Sequence, residues 1–297
     1  MPSQSYSRGV AYVVLGGACL SFGGLLVRFV EDASPWTILF YRSLVFICTV
    51  VLFLLLRDGK QTMRQLFAVH RSDLFVSFLL AVGFISYVLS LFHTTVANTV
   101  LILTTGPILA GVLAYFVLGE VVGKITWVAM VIAVGGVAVM VAGGIQGGDM
   151  FGLAMALLAV MSFAGYVVSI RYFGARRDMM VSTAWAGALA AMLCLPMLWN
   201  VPGAFAITGH DLLVAALLGS VQVGFGFILI TLGSRSVPAA QIPLLGLSET
   251  ALSPLWVWLV INELPSVNTA IGGAIVLIAV CTQAFVALNA KQPVANA

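Results

Sequence analysis

Charge is what this sequence has least of. Only 8% of its 297 residues are charged, against about one quarter in an ordinary soluble domain. By contrast 62% are hydrophobic, and the mean hydropathy is +1.14, so a soluble globular fold is excluded. Histidine is equally sparse, with three in the chain, and the four cysteines, Cys19, Cys48, Cys194 and Cys281, stand far apart inside apolar stretches. No spacing matches a metal site or a disulfide framework, and no Gly-x4-Gly-Lys loop is present to hold a nucleotide. The sequence therefore calls for no cofactor and no metal. Thirty glycines and ten prolines follow no strict period, which removes a collagen-like reading. Long polar stretches are missing too. The longest connection between apolar runs, Arg57 to Asp73, has seventeen residues, which leaves no room for a soluble catalytic domain.

What is present is apolar sequence cut into helix-length pieces. A hydrocarbon core of about 30 Å needs roughly 20 apolar residues in a helix. Ten runs meet that length: Gly9 to Val30, Trp36 to Leu56, Leu74 to Phe92, Ala97 to Leu118, Lys124 to Gly143, Met150 to Phe173, Met180 to Trp199, Asp211 to Leu232, Pro238 to Ile261 and Val267 to Leu288. The fold class expected is an all-α integral membrane protein with ten transmembrane helices. Arg8 precedes the first run as in a signal peptide, but no small-x-small cleavage site follows, so a retained helix is expected there.

The few cations set the orientation, because cytoplasmic loops retain positive charge. With the N-terminus inside, eleven of the thirteen Lys and Arg fall in cytoplasmic segments, among them Arg176, Arg177 and Lys291. Arg28 and Arg42 lie within runs, and the outer segments carry only acids such as Glu31, Asp149, Asp211 and Glu263. A multi-pass protein of the bacterial inner membrane with both termini cytoplasmic is the expectation. The net charge of +3 is then a topological signal rather than one for nucleic acid. The partners expected are the lipid bilayer and a small-molecule substrate, with monomer and homodimer both open.

The second half of the chain repeats the first. At an offset of 143, Glu120 falls on Glu263, Gly83-Phe84-Ile85 on Gly226-Phe227-Ile228, Ala97 on Ala240 and Asn98 on Gln241. At an offset of 141, Ser21-Phe22 falls on Ser162-Phe163. Residues 1–145 and 146–297 thus form two units of five helices. Five is odd, so the units lie in the membrane with opposite orientation. Inverted repeats mark alternating-access transporters, whose substrate site lies near the midplane between the halves.

On these features the chain resembles the drug/metabolite transporter superfamily, in its EamA-domain branch of ten-helix proteins. The residues that carry the resemblance are Thr105-Gly106-Pro107, Leu118-Gly119-Glu120, Gly135-Gly136, Ser253-Pro254, Glu263, Gly272-Gly273 and the aromatic-x-Arg element Phe40-Tyr41-Arg42. Asn262 stands where that branch usually has Gly before its second Glu. The resemblance implies a secondary exporter of small metabolites, most often amino acids, including aromatic amino acid exporters of the YddG type.

Polar residues inside a bilayer are costly and tend to face a cavity or a neighbouring helix. Glu249 is the deepest carboxylate, near the middle of the ninth run, with the roles of ammonium ligand, proton carrier or helix brace all open. Arg42, two turns into the second run, is a candidate for a substrate carboxylate or for pairing with an acid. Asn98 and Thr105 share a face at a spacing of seven, as do their counterparts Gln241 and Ser248. Ser21 and Ser162 recur at equivalent points, Gln222 is a further mid-helix amide, and Tyr87, Tyr166 and Phe225 are candidate stacking aromatics. Small hydroxyls also serve simply as close helix contacts. Pro107, Pro243 and Pro254 remove backbone hydrogen bonds in the fourth and ninth runs and mark these as the moving elements. Glu120 and Glu263, at helix ends beside water, read as capping residues. Two rival functions remain. A proton-coupled exporter of lipophilic cations needs an acid reachable from both sides; the first run has none, and Glu249 is the residue that could substitute. A membrane enzyme acting on lipid needs a cluster of His, Asp, Glu or Ser at one interface, and the scattered residues supply no such cluster.

Overall fold

The computed structural model describes residues 2–94, 96–142, 150–174, 178–199, 203, 205–262, 264 and 266–289. All regular structure among these residues is helical, and ten stretches are long and apolar enough to cross a bilayer. They are α1 (Pro2–Leu20, then Gly23–Val27), α2 (Pro35–Asp58), α3 (Arg71–His93), α4 (Val96–Leu103, then Gly106–Leu118), α5 (Lys124–Val141), α6 (Met150–Gly174), α7 (Met180–Trp199), α8 (Gly209–Gly233), α9 (Gln241–Gly246, then Ser248–Ile261) and α10 (Val267–Asn289). Asp149, Arg176, Arg177, Glu263, Lys291 and the 145/146 boundary between the repeats lie outside the described residues. The connection from Arg57 to Asp73 is partly structured: it contains a short helix, Gln61–Phe67. Trp185 of α7 holds this helix by donating its indole N–H to the Leu66 carbonyl at 3.1 Å.

Helix ends are set by local chemistry. At the start of α2 the Ser34 hydroxyl accepts the Thr37 N–H at 3.1 Å, with Pro35 as first helical residue, which satisfies one free donor and presets φ. His70 and Asp73 form a capping box at the start of α3. α4 and α9 both stop on a left-handed residue, Gly119 at φ 68° and Asn262 at φ 58°. Asparagine tolerates that conformation better than other residues with a Cβ, which accounts for its standing in the second repeat where glycine is usual. At the start of α8 the fully buried Asp211 accepts backbone N–H bonds from Glu31, Asp32 and Ala33 at 2.9, 3.0 and 2.8 Å. One carboxylate thereby fastens the α1–α2 turn to the second half of the chain.

The packing has the symmetry of an inverted repeat. α3 packs on α6 as α8 packs on α1; α3 on α7 as α8 on α2; α4 on α6 as α9 on α1; α2 meets α7 and α5 meets α10. Exchanging the halves maps each pairing onto another or onto itself. The breaks in α4 and α9 obey the same rule, since α4 is interrupted at Thr104 and Thr105 and α9 at Leu247, and Thr104 and Leu247 are 143 residues apart. Two elements depart from the symmetry: α1 is interrupted at Ser21 and Phe22 while α6 is continuous, and α8 contains a π-helical stretch, Leu218–Phe225, while α3 is regular throughout. Such stretches occur often at functional sites.

Candidate functional site

A cavity of about 240 Å³ lies where α2, α3, α4, α6, α8 and α9 meet. Its polar lining includes Arg42, Tyr87, Thr104, Gln222 and Glu249, and much of the rest is apolar. It adjoins a wider vestibule of about 550 Å³ that shares Tyr87, Val100, Glu249 and Thr250 with it. The vestibule runs to Arg28, Ser266 and Thr269, on the face opposite the one bearing the N-terminus.

Each polar group reaches this cavity for a local reason. The break at Leu247 places Glu249 in the first turn of the second piece of α9. Arg42 projects from α2 so that its Cζ lies 5.4 Å from the centroid of the Phe84 ring on α3, a cation–π contact that partly compensates for lost hydration. Neither Arg42 nor Glu249 has a hydrogen-bond or ion-pair partner among the described residues. Gln222 sits on the π-helical stretch, 9% exposed. It donates through Nε2 to the Leu20 carbonyl at 3.4 Å, and its Oε1 has no partner among the described residues. A guanidinium, a carboxyl group and an amide acceptor therefore line one small apolar space.

The cavity wall is aromatic. Phe84 and Phe227 pack edge to face with centroids 5.3 Å apart, Phe163 stands 6.2 Å from Phe227, and Phe46 backs Phe84 and Phe227 at 6.1 and 6.2 Å. Edge-to-face packing of this kind fixes ring orientation. These wall residues were missed as site candidates, although the repeat held the signal. Phe84 and Phe227 are equivalent at the offset of 143 and occupy facing positions at the cavity.

The other candidates sit elsewhere. Tyr166 is fully buried behind the cavity, its hydroxyl 3.4 Å from Thr183 Oγ1 and 3.1 Å from Thr231 Oγ1. Phe225 is half exposed on the outside of α8. Ser21 donates to the Ala18 carbonyl at 2.6 Å and accepts the Trp256 indole N–H at 2.8 Å, which braces α1 against α9. Asn98 is buried and donates to Thr94 Oγ1, and Thr105 turns back on the Ile102 carbonyl. Ser162 is buried on α6 beside Gly83. Gln241 accepts the Tyr6 hydroxyl at 2.7 Å on the N-terminal face, and Ser248 is packed against Gly17 of α1. Of the prolines, Pro107 and Pro243 line the cavity and Pro254 the vestibule.

The face bearing the N-terminus is tied shut. Glu120 forms an ion pair with Arg171 and accepts the Ala239 N–H at 2.9 Å, while Arg171 donates to the Ser234 carbonyl at 3.1 Å. Asp178 pairs with both Arg57 and Arg235. The cavity thus communicates with one side of the protein and is sealed from the other.

Comparison with known proteins agrees with this architecture. A solved crystal structure superposes with a TM-score of 0.81 over 94% of this chain and 98% of the other at 17% identity, a likeness of fold. The uncharacterized transporter YwfM of Bacillus subtilis (strain 168) is 27% identical over 182 residues, 61% of this chain. The match spans 62% of that relative's length. The model of the EamA-like transporter family matches twice, at residues 7–142 and 150–283. With ten helices, a cavity between inverted halves and family matches over nearly all its length, the chain belongs to the EamA-like transporter family of membrane transporters.

Proposed function

We propose that the protein is a secondary exporter of amino acids or closely similar zwitterions, working by alternating access. The observation that carries this reading is the presence of Arg42 and Glu249 in one cavity. A guanidinium recognises a carboxylate with a planar, bidentate fork, and a carboxylate recognises an ammonium group. A zwitterion satisfies both at once, whereas an anion or a cation alone leaves one buried charge unmatched at a cost of several kcal/mol. The aromatic wall of Phe84, Phe163 and Phe227 suits an apolar side chain.

Charge argues against the lipophilic-cation reading. Arg42 lines the inner cavity of about 240 Å³ and repels a cationic cargo there. The cation distribution supports a cytoplasmic N-terminal face, with the bacterial inner membrane as the expected location; on that reading this conformation is open outward, as after release of an exported molecule. Residues 1–145 and 146–297 are the two inverted repeats of this reading.

The test is reconstitution into liposomes with labelled amino acids, nucleosides and cationic dyes, with and without a pH gradient. Amino acids are expected to cross, with dyes excluded. Glu249→Gln is expected to weaken uptake, through affinity if Glu249 holds the ammonium group and through the pH dependence if it carries a proton. Uptake of dyes alone, or a Glu249→Gln variant unchanged in both respects, would overturn the reading.

A further inference from the structure

We propose that Glu120 and Arg171 form the latch that keeps the cavity shut on the face bearing the N-terminus. The inference rests on the alternating-access part of the functional reading and is independent of the cargo.

The latch spans the seam between the packed pair α4 and α6 and the elements α8 and α9. Glu120 follows α4 and Arg171 is near the end of α6, so their ion pair joins the two halves of the chain on one side of that seam and orients both side chains across it. The second carboxylate oxygen of Glu120 accepts the N–H of Ala239, in the turn that leads into α9. Arg171 also donates to the carbonyl of Ser234 just past α8. Two side chains therefore gather α4, α6, α8 and α9 at a single point, and all four helices line the cavity. Directly within this point Ala240 is 3% exposed, and a Cβ on Gly111 of α4 would come within 3.4 Å of the Ala240 Cβ. Opening a path to this face requires α4 to leave Ala240, and the Glu120 contacts to break with it.

The other ties on this face each share one element with the latch and do not reach α4. The Arg57–Asp178–Arg235 cluster links α2, the start of α7 and the end of α8, away from the seam between α4 and α9. Tyr6 to Gln241 is a single hydroxyl bond. The sequence repeats one latch residue: at the offset of 143, Glu120 falls on Glu263, which lies outside the described residues.

The experiment reads access to the seam without any cargo. Cys19, Cys48, Cys194 and Cys281 are replaced, Ala240→Cys is introduced, and membrane vesicles of known sidedness are treated with a membrane-impermeant maleimide. With the latch intact, labelling from the N-terminal face is slow. Glu120→Gln and Arg171→Gln are each expected to raise that rate about tenfold or more, the population shift that follows when one charge-assisted contact is lost from one of two states. Glu120→Gln still offers an oxygen to the Ala239 N–H, so a rate equal to the parent's would reduce Glu120 to a capping residue and overturn the latch. A rate raised equally from both faces would mark a loosened fold and overturn it as well. Failure of the amino-acid panel with a positive result here would reject the cargo and leave the latch standing.

Discussion

A guanidinium held against a phenyl ring keeps part of its stabilisation when water leaves, so Arg42 over Phe84 remains a usable ligand in an apolar cavity. Lysine would retain the charge but lose the planar fork that engages both oxygens of a carboxylate. Arg42→Lys is therefore expected to raise the KM for a transported amino acid about tenfold, the worth of one charge-assisted hydrogen bond, with little change in thermal unfolding. An unchanged KM in liposome uptake would take Arg42 out of cargo recognition. At this scale the sequence was readable where a residue is expensive. Arg42 and Glu249 stand out because charge in lipid needs a reason, and both line the cavity. Ser21, Asn98, Gln241 and Tyr166 were less readable because a polar side chain can satisfy itself on a neighbour. Trp256, Thr94, Tyr6 and Thr231 are those neighbours, and no seven-residue spacing reveals them.

Among the elements, the ten spans were legible because bilayer thickness sets their length, whereas their internal breaks were only half legible. Pro107 and Pro243 announced irregularity in α4 and α9, yet the π-helical stretch of α8 contains no proline. A shift from one hydrogen-bond register to the next leaves no compositional mark. The clamp at Asp211 was likewise hidden, since three backbone N–H groups from another loop carry no side-chain signature. Asp211 reads in sequence as an outer acid, but it is the fully buried anchor between the α1–α2 turn and α8. An asparagine has one acceptor oxygen where the carboxylate uses two, and its amide would face an N–H donor. Asp211→Asn is expected to destabilise the protein by about 1–3 kcal/mol, the cost of leaving a buried donor unmatched, seen as a lower thermal midpoint in detergent. A midpoint equal to the parent's would show that the turn does not depend on this anchor.

For the whole molecule, symmetry and cohesion pull in different directions. The repeat makes each half look like a unit, but the contacts say otherwise, because α1 packs on α8 and α9, α2 on α7, α3 on α6 and α7, and α5 on α10. Most helix–helix surface therefore lies between halves, where close approach and van der Waals packing supply the association that lipid does not. The seam of α5 and α10 shows how tight this is, for a Cβ on Gly272 would overlap the Gly136 carbonyl oxygen. Neither half can bury these faces alone. Each half nonetheless carries its own orientation signal, since Arg171, Arg176, Arg177, Arg235 and Lys291 of the second half share one face under the positive-inside rule. Dividing the chain between residues 145 and 146 is thus expected to give two fragments that insert correctly and, when produced together, restore transport. Produced singly, neither is expected to transport or to resist mild proteolysis. Activity in one fragment alone would mean that a site between halves is not required, and would reject the placement of the transported molecule beside Arg42 and Glu249.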